Sequence, residues 1–185
     1  DDTEIAEVAR RWGAEVPFMR PAALARDDSP EWLTWQHAIR TLAATEGGST
    51  MEVLVCVPPT SPLRAVDDVD ACIRTLLESD ADIVVTAKTA GRNPYYNMVV
   101  LNDDGYAQLV IPPSEMIHRR QDAPEVYDMT TVAYATRPSF ILKANSIFEG
   151  KVKAVVIPAE RGLDLDTELD FEIAECLLSQ STSSL

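Results

Sequence analysis

The feature that most limits how this chain folds is its repeated switch between short apolar runs and longer stretches of helical period. "MEVLVCVPP" (51–59), "ADIVVTAKT" (81–89), "TTVAYAT" (130–136) and "KVKAVVIP" (151–158) read as strands, the first as a buried one. Helical patterns run around them. Ile5, Val8, Ala9 and Trp12 share one face of a helix over 3–12, which Gly13 stops. "LARDDSPEWLTWQHAIRTLAAT" (24–45) opens with Asp and Ser as caps and has Pro30 early in its helix. A third helix presents Val66, Val69, Cys72, Ile73, Leu76 and Leu77, and "SFILKANSIFEG" (139–150) reads as a short one. From Thr167 a last helix carries Leu169, Ile173, Cys176 and Leu177 on one stripe. Strands alternating with helices predict one Rossmann-like α/β domain, a mostly parallel sheet with helices on both faces. "AEVPFMRP" (14–21) reads as a strand-like piece broken by prolines, and "GGST" (47–50) as a turn.

Between Gly91 and Ser139 the rhythm changes. "YYNMVVLNDDGYAQLV" (95–110) sets Asp104–Gly105 between two strand-like runs, a hairpin signature. We read 91–139 as an antiparallel arm inserted into the α/β core, a common way to build a homodimer contact.

At 185 residues the chain is one domain's worth. Its 16 basic against 30 acidic residues give a net charge of −14, which argues against a nucleic acid or an acidic membrane surface as partner. A small phosphate ligand remains compatible, provided local cations or a metal offset the charge. Cys56, Cys72 and Cys176 show no CxxC or Cys/His zinc spacing and read as reduced packing residues of a cytoplasmic protein. No membrane-length apolar run is present.

In such sheets ligands sit beyond the carboxyl ends of the strands. Two segments belong there: "PPTSPLR" (58–64) and "GLDLDTE" (162–168). Prolines stiffen the first, and its Arg64 either meets a phosphate or carboxylate or simply opens the next helix. In the second, a strand would put Asp164 and Asp166 on one face, about 7 Å apart, with Leu163 and Leu165 on the other. Two readings stay open. Asp166 or Thr167 caps the following helix, with Glu168 and Asp170 in its first turn, or the carboxylates hold Mg²⁺, a hard cation suited to oxygen ligands. "IHRRQD" (117–122) adds two arginines that read as a solvated charge pair or as partners of an anionic substrate. His37 and His118 have no neighbouring Ser or Cys motif.

Taken together, "DDTEIAEVARRWGAEVPFMRPAALARDDSP", "PPTSPLR", "RRQDAPEVY" and "LDLDTELDFEIAE" resemble, in this order, the cytidylyltransferases that activate nine-carbon 2-keto sugar acids, the CMP-N-acylneuraminate synthetase family. The resemblance spans essentially the whole chain. It implies a nucleotide-diphospho-sugar transferase fold and a reaction of CTP with a nonulosonic acid, giving CMP-sugar and pyrophosphate. It also implies Mg²⁺ (or Mn²⁺) on Asp164 and Asp166, with Asp166 placed to help deprotonate the attacking hydroxyl. Arg120 matches the arginine used near the sugar acid, reaching the neighbouring subunit's site in a homodimer that can assemble further to a tetramer. Asp27 and Ser29 fall in the loop approaching the nucleotide. Thr60, Ser61 and Arg64 match the strand-end loop, and Arg119, Gln121 and Tyr134 join them as substrate contacts.

The sequence also departs from the family pattern. The family begins with a strand and a glycine-rich, Arg- and Lys-containing phosphate loop to which nothing here corresponds, so the domain is expected to be N-terminally incomplete and to bind CTP poorly as written. Pro58 replaces a common glutamine, and "DMTT" (128–131) stands where Arg-Pro-Asn-Gly is frequent. Those positions touch the sugar acid and leave its identity open. A nucleotidyltransferase for an eight-carbon keto acid or a sugar 1-phosphate is the first rival reading, and a non-catalytic dimerising relic the second.

Overall fold

The computed structural model describes residues 1–45 and 51–182, so the turn expected at 47–50 lies outside the described residues. Helix α1 (Thr3–Arg11) starts at Asp2, whose Oδ1 accepts from the backbone N–H groups of Glu4 and Ile5 at 2.7 and 3.1 Å. Gly13 follows it with φ +89°, the left-handed geometry expected of a helix stop. No strand forms over 14–21, contrary to expectation. Pro17 and Pro21 remove backbone donors from that stretch, which leaves it unable to join a ladder.

Helices α2 (Glu31–Thr45) and α3 (Val66–Leu77) flank a sheet of four strands: β1 (Leu54–Cys56), β2 (Ile83–Thr89), β5 (Tyr127–Thr136) and β6 (Val152–Val156). Their spatial order is β1-β5-β2-β6. The expected mostly parallel sheet is met only in part. β1, β2 and β6 run the same way, but β5 runs against them, so only the β2–β6 pair is parallel. The cause is connectivity. The chain leaves β2 at the strand-end edge, makes its excursion there, and re-enters from that edge, so β5 has to run backwards.

Strands β3 (Val99–Leu101) and β4 (Ala107–Leu109) form the expected hairpin as a separate sheet, with Gly105 at φ +82° in its turn. The stretch 91–139 therefore divides. Residues 91–126 leave the core, whereas Tyr127–Thr136 is a core strand hydrogen-bonded on both sides.

Alternation along β2 sorts the core into two layers. Ile83 and Val85 face Trp32, Trp35 and Ile39 of α2, together with Tyr134 and Ile141 of α4 (Pro138–Ile141). Val84 faces Cys72 and Leu76 of α3, with Ala133 and Ala135. Polar atoms in the α2 layer are matched across it: Trp32 Nε1 donates to the Ala144 carbonyl at 2.6 Å and Gln36 Nε2 to that of Ile141 at 2.9 Å. Arg137 donates to the carbonyls of Leu76, Ser79 and Ala81, closing the end of α3. The last helix, α5 (Glu168–Thr182), forms as expected, but its stripe is not buried. Leu169 and Ile173 are 63% and 40% exposed, and of its described side chains only Ala174 is buried.

Candidate active site

The edge where β1, β2 and β6 end is bridged by one segment. After β6, Ile157 N–H donates to the Ala87 carbonyl at 2.8 Å, and the chain makes a single tight turn over Ala159–Gly162. Lys88 Nζ donates to the Gly162 carbonyl at 2.8 Å. A Cβ on Gly162 would stand 3.0 Å from Lys88 Cδ and from Thr130 Cγ2, so this glycine permits a close crossing above β2 and β5. Three residues on, Leu165 N–H donates to the Thr60 carbonyl at 2.9 Å. The acidic segment thus spans from β6 to the loop after β1, which joins the two strand-end loops singled out in the sequence.

Asp164 and Asp166 lie on this bridge. It is extended at Leu163 (φ −73°, ψ 132°) but pairs with no strand. Asp164 is half-buried, and its Oδ1 is buried with no hydrogen-bond partner. Asp166 is exposed. Neither carboxylate caps α5. That task falls to Thr167 and Asp170: Asp170 Oδ2 accepts from Thr167 N–H at 2.8 Å, from its hydroxyl at 2.7 Å and from Asp166 N–H at 3.2 Å. These bonds, the Thr167 hydroxyl first, hold the Asp170 carboxyl below its usual pKa. The capping alternative for Asp166 is therefore excluded by a reciprocal pair one and four residues further on.

The loop after β1 is tied from beneath. Ser61 is buried, and its hydroxyl lies 2.7 Å from that of Thr131. Thr131 belongs to a bulge in β5, where the register with β2 breaks between Val85 and Thr86. The Thr86 hydroxyl fills the bulge, accepting from Ala133 N–H at 3.1 Å and from the Thr130 hydroxyl at 2.8 Å. Arg64 buckles its own loop: its Nε donates to the Ser61 carbonyl at 2.9 Å and its Nη2 to that of Pro58.

Behind the loop Tyr134 stands across from Cys56 in the β1–β5 register, with its ring 5.4 Å from that of Trp35. Burial, and then Glu31, Cys56 and Asp164, push its phenol up to about 12. Tyr134 was expected as a substrate contact. At 6% exposure its side chain is buried behind the loop, and the raised phenol is neutral at neutral pH. Cys56 is likewise pushed to about 12, by burial and then by Glu31. Glu31 Oε1 accepts from Trp35 Nε1 at 3.3 Å and from Cys56 Sγ at 3.6 Å. Sequence reasoning passed over Glu31, Thr131 and Lys88. An acid in a first helical turn reads as dipole complementarity, and neither a threonine nor a lysine inside a strand advertises a role.

The remaining candidates lie on flanking loops. Arg120 Nη2 donates to the Ala90 carbonyl at 2.8 Å and, with Arg92, Asn93, Gln121 and Glu125, lines an open cavity of about 410 Å³ at the end of β2. Arg119 does not join it. Its guanidinium forms a two-pronged pair with Asp122, both contacts at 2.9 Å. Ser29 Oγ donates to the Ala23 carbonyl at 3.1 Å, Asp27 is exposed, and both lie in the loop leading to Glu31. His37 packs edge-on to Phe18 inside α2, and His118 is exposed.

No protein-family model matches the sequence. Individual proteins do. The chain is 30% identical over 181 residues to the post-translational flagellin modification protein B of Campylobacter coli, covering 97% of this chain and 75% of that protein. It is 33% identical over 180 residues to the CMP-N,N'-diacetyllegionaminic acid synthase of Campylobacter jejuni, covering 97% and 74%. The chain belongs to the nonulosonic acid cytidylyltransferase family. In fold it is similar to a CMP:2-keto-3-deoxy-manno-octonic acid synthetase complexed with CTP, with TM-score 0.62 at 14% identity, over 98% of this chain and 79% of that one.

For a nonulosonic acid cytidylyltransferase the donor set on the bridge suits a hard divalent cation. Asp164 Oδ1 is a buried acceptor that nothing in the described residues satisfies, and Asp166, two residues on, is exposed. Among the described residues no group of three His, Cys, Asp or Glu side chains that could hold a metal ion is found.

Proposed function

We propose that this edge of the sheet transfers the cytidylyl group of CTP to a nine-carbon 2-keto sugar acid. The anomeric hydroxyl attacks the α-phosphorus, a P–O bond to that oxygen forms, the bond to the β-phosphate breaks, and pyrophosphate leaves. Asp166, exposed and not used in capping, accepts the hydroxyl proton. Asp164 and Asp166 hold Mg²⁺ or Mn²⁺, which when bound supplies charge neutralisation for the phosphates. Thr60 and Ser61 form the rigid wall, since a loop braced by Arg64 and by the Ser61–Thr131 contact loses little freedom on binding. Arg120 meets the sugar carboxylate, with Gln121 beside it in the same cavity.

The observation that carries this reading is the bond from Leu165 N–H to the Thr60 carbonyl, which brings the two loops of the family resemblance together around an unsatisfied carboxylate oxygen. We further propose a homodimer built on the excursion. Val99, Val100, Leu101 and Tyr106 are 52 to 72% exposed there, more apolar surface than a lone hairpin of this size leaves bare without a partner. Among the described residues no helix is long and apolar enough to cross a membrane, and we propose a cytoplasmic location from the three cysteines, which read as reduced packing residues. Release of pyrophosphate from CTP, but not from UTP or ATP, with one member of a nonulosonic acid panel tests the reading. Equal release from all three nucleotides, or release with sugar 1-phosphates only, overturns it.

A further inference from the structure

Lys88 donates directly to the backbone of the acidic bridge, and neither its strand nor the family resemblance explains that contact. It sits at the penultimate position of β2, a central strand whose first five residues are all buried. In the β2–β5 register it stands opposite Asp128, the natural cross-strand partner for an ammonium group. The ammonium goes elsewhere: Nζ donates to the Gly162 carbonyl at 2.8 Å, and the aliphatic stem lies where a Cβ on residue 162 would be 3.0 Å away. Thr130 Cγ2 closes the same spot from β5, and Thr130 is itself fixed by its bond to Thr86. The bridge is therefore clamped twice, at Gly162 by Lys88 and at Leu165 by Thr60, and Asp164 lies between the clamps. The bridge has no ladder of its own to fix its backbone; these two attachments bracket Asp164, and the bond from Asp166 N–H to Asp170 Oδ2 holds the residue just beyond them.

We infer that Lys88 is a positioning residue for the divalent cation, holding Gly162 so that Asp164 and Asp166 present to one ion. This rests on the cation reading of the two aspartates. Lys88 acts through a backbone carbonyl and not by touching substrate. Partners that orient metal ligands change metal affinity by about 10- to 100-fold when removed.

The test is Mn²⁺ binding to the full-length protein without nucleotide, followed by electron paramagnetic resonance of the free ion, with Asp166→Asn as reference. Lys88→Met is expected to raise the Mn²⁺ dissociation constant by about 10- to 100-fold while its melting temperature stays near wild type. Lys88→Arg, which still places a donor near the Gly162 carbonyl, is expected to recover part of the loss, and Gly162→Ala to reproduce it by pushing the clamp apart. If Lys88→Met does not fold, Lys88→Arg and Gly162→Ala carry the comparison. Unchanged binding in Lys88→Met, while Asp166→Asn loses the ion, overturns the inference and leaves the cation site standing. Tighter binding in Lys88→Met also overturns it, since that is what removing a repelling charge alone would give. Unchanged binding in Asp166→Asn removes the cation reading and the inference together.

Discussion

The carboxyl end of β2 meets two very different kinds of structure. On one side of the strand-end edge, the bridge over 162–166 and the loop over 58–64 are irregular in backbone yet held from below. Gly162 is buried, Ser61 is 1% exposed, and both rest on side chains of buried strands. On the other, the excursion over 91–126 contains a regular hairpin whose apolar side chains face outward. Irregular segments can thus be the better determined ones when each backbone polar group has a partner in the core. A regular hairpin can be the less self-sufficient one, because two strands alone bury too little.

The comparison can be broken most severely at the bridge. Asp166→Asn is expected to cut turnover by roughly 10²–10⁴-fold if this carboxylate takes the hydroxyl proton, with the melting temperature nearly unchanged because the residue is exposed. Pyrophosphate release and a thermal scan check both, and turnover within a few-fold of wild type removes the assignment. Beneath the bridge, Leu76→Ala is expected to cost about 2–5 kcal/mol of stability, since Leu76 is fully buried against Val84 and Ala135. Denaturant titration reads this. In the excursion, Leu101→Asp is expected to leave the stability of the single subunit within about 0.5 kcal/mol, as for other exposed positions, while lowering the mass seen in sedimentation. An unchanged assembly would move the dimer contact elsewhere. Arg120→Ala is expected to raise the KM for the sugar acid more than that for CTP, and a selective CTP defect would move Arg120 to the phosphate side. The smallest effect concerns thiols. Iodoacetamide at neutral pH should label exposed Cys176 and spare Cys56, whose thiol is pushed up to about 12, and Cys72, which is fully buried.

Much of this was legible in the sequence, for identifiable reasons. The four core strands and their flanking helices announce themselves because burial on both sides demands continuous apolar runs such as "VLVCV" and "DIVVTA". The hairpin is readable because Asp104–Gly105 supplies the positive φ its turn needs. The direction of β5 was not readable, since "TTVAYAT" is as apolar as a parallel strand and nothing local encodes which edge the chain re-enters from. The exposure of Leu169 and Ile173 on α5 was missed for a related reason: both have the right period, but period says nothing about whether a given side chain is covered. At the site, Asp164 and Asp166 were found from their spacing, whereas the clamps on them were not. Lys88, Thr60 and Thr131 act through hydrogen bonds between residues 70 or more apart in sequence, which no local pattern records.

The most direct measurement of the central claim is pyrophosphate release by the full-length protein with CTP, Mg²⁺ and a panel of nonulosonic acids, with UTP, ATP and a chelator as controls. The account predicts release that requires CTP, one sugar acid and the divalent ion together, and that falls away in Asp166→Asn. Release that persists in the presence of chelator, or in Asp166→Asn, would contradict it.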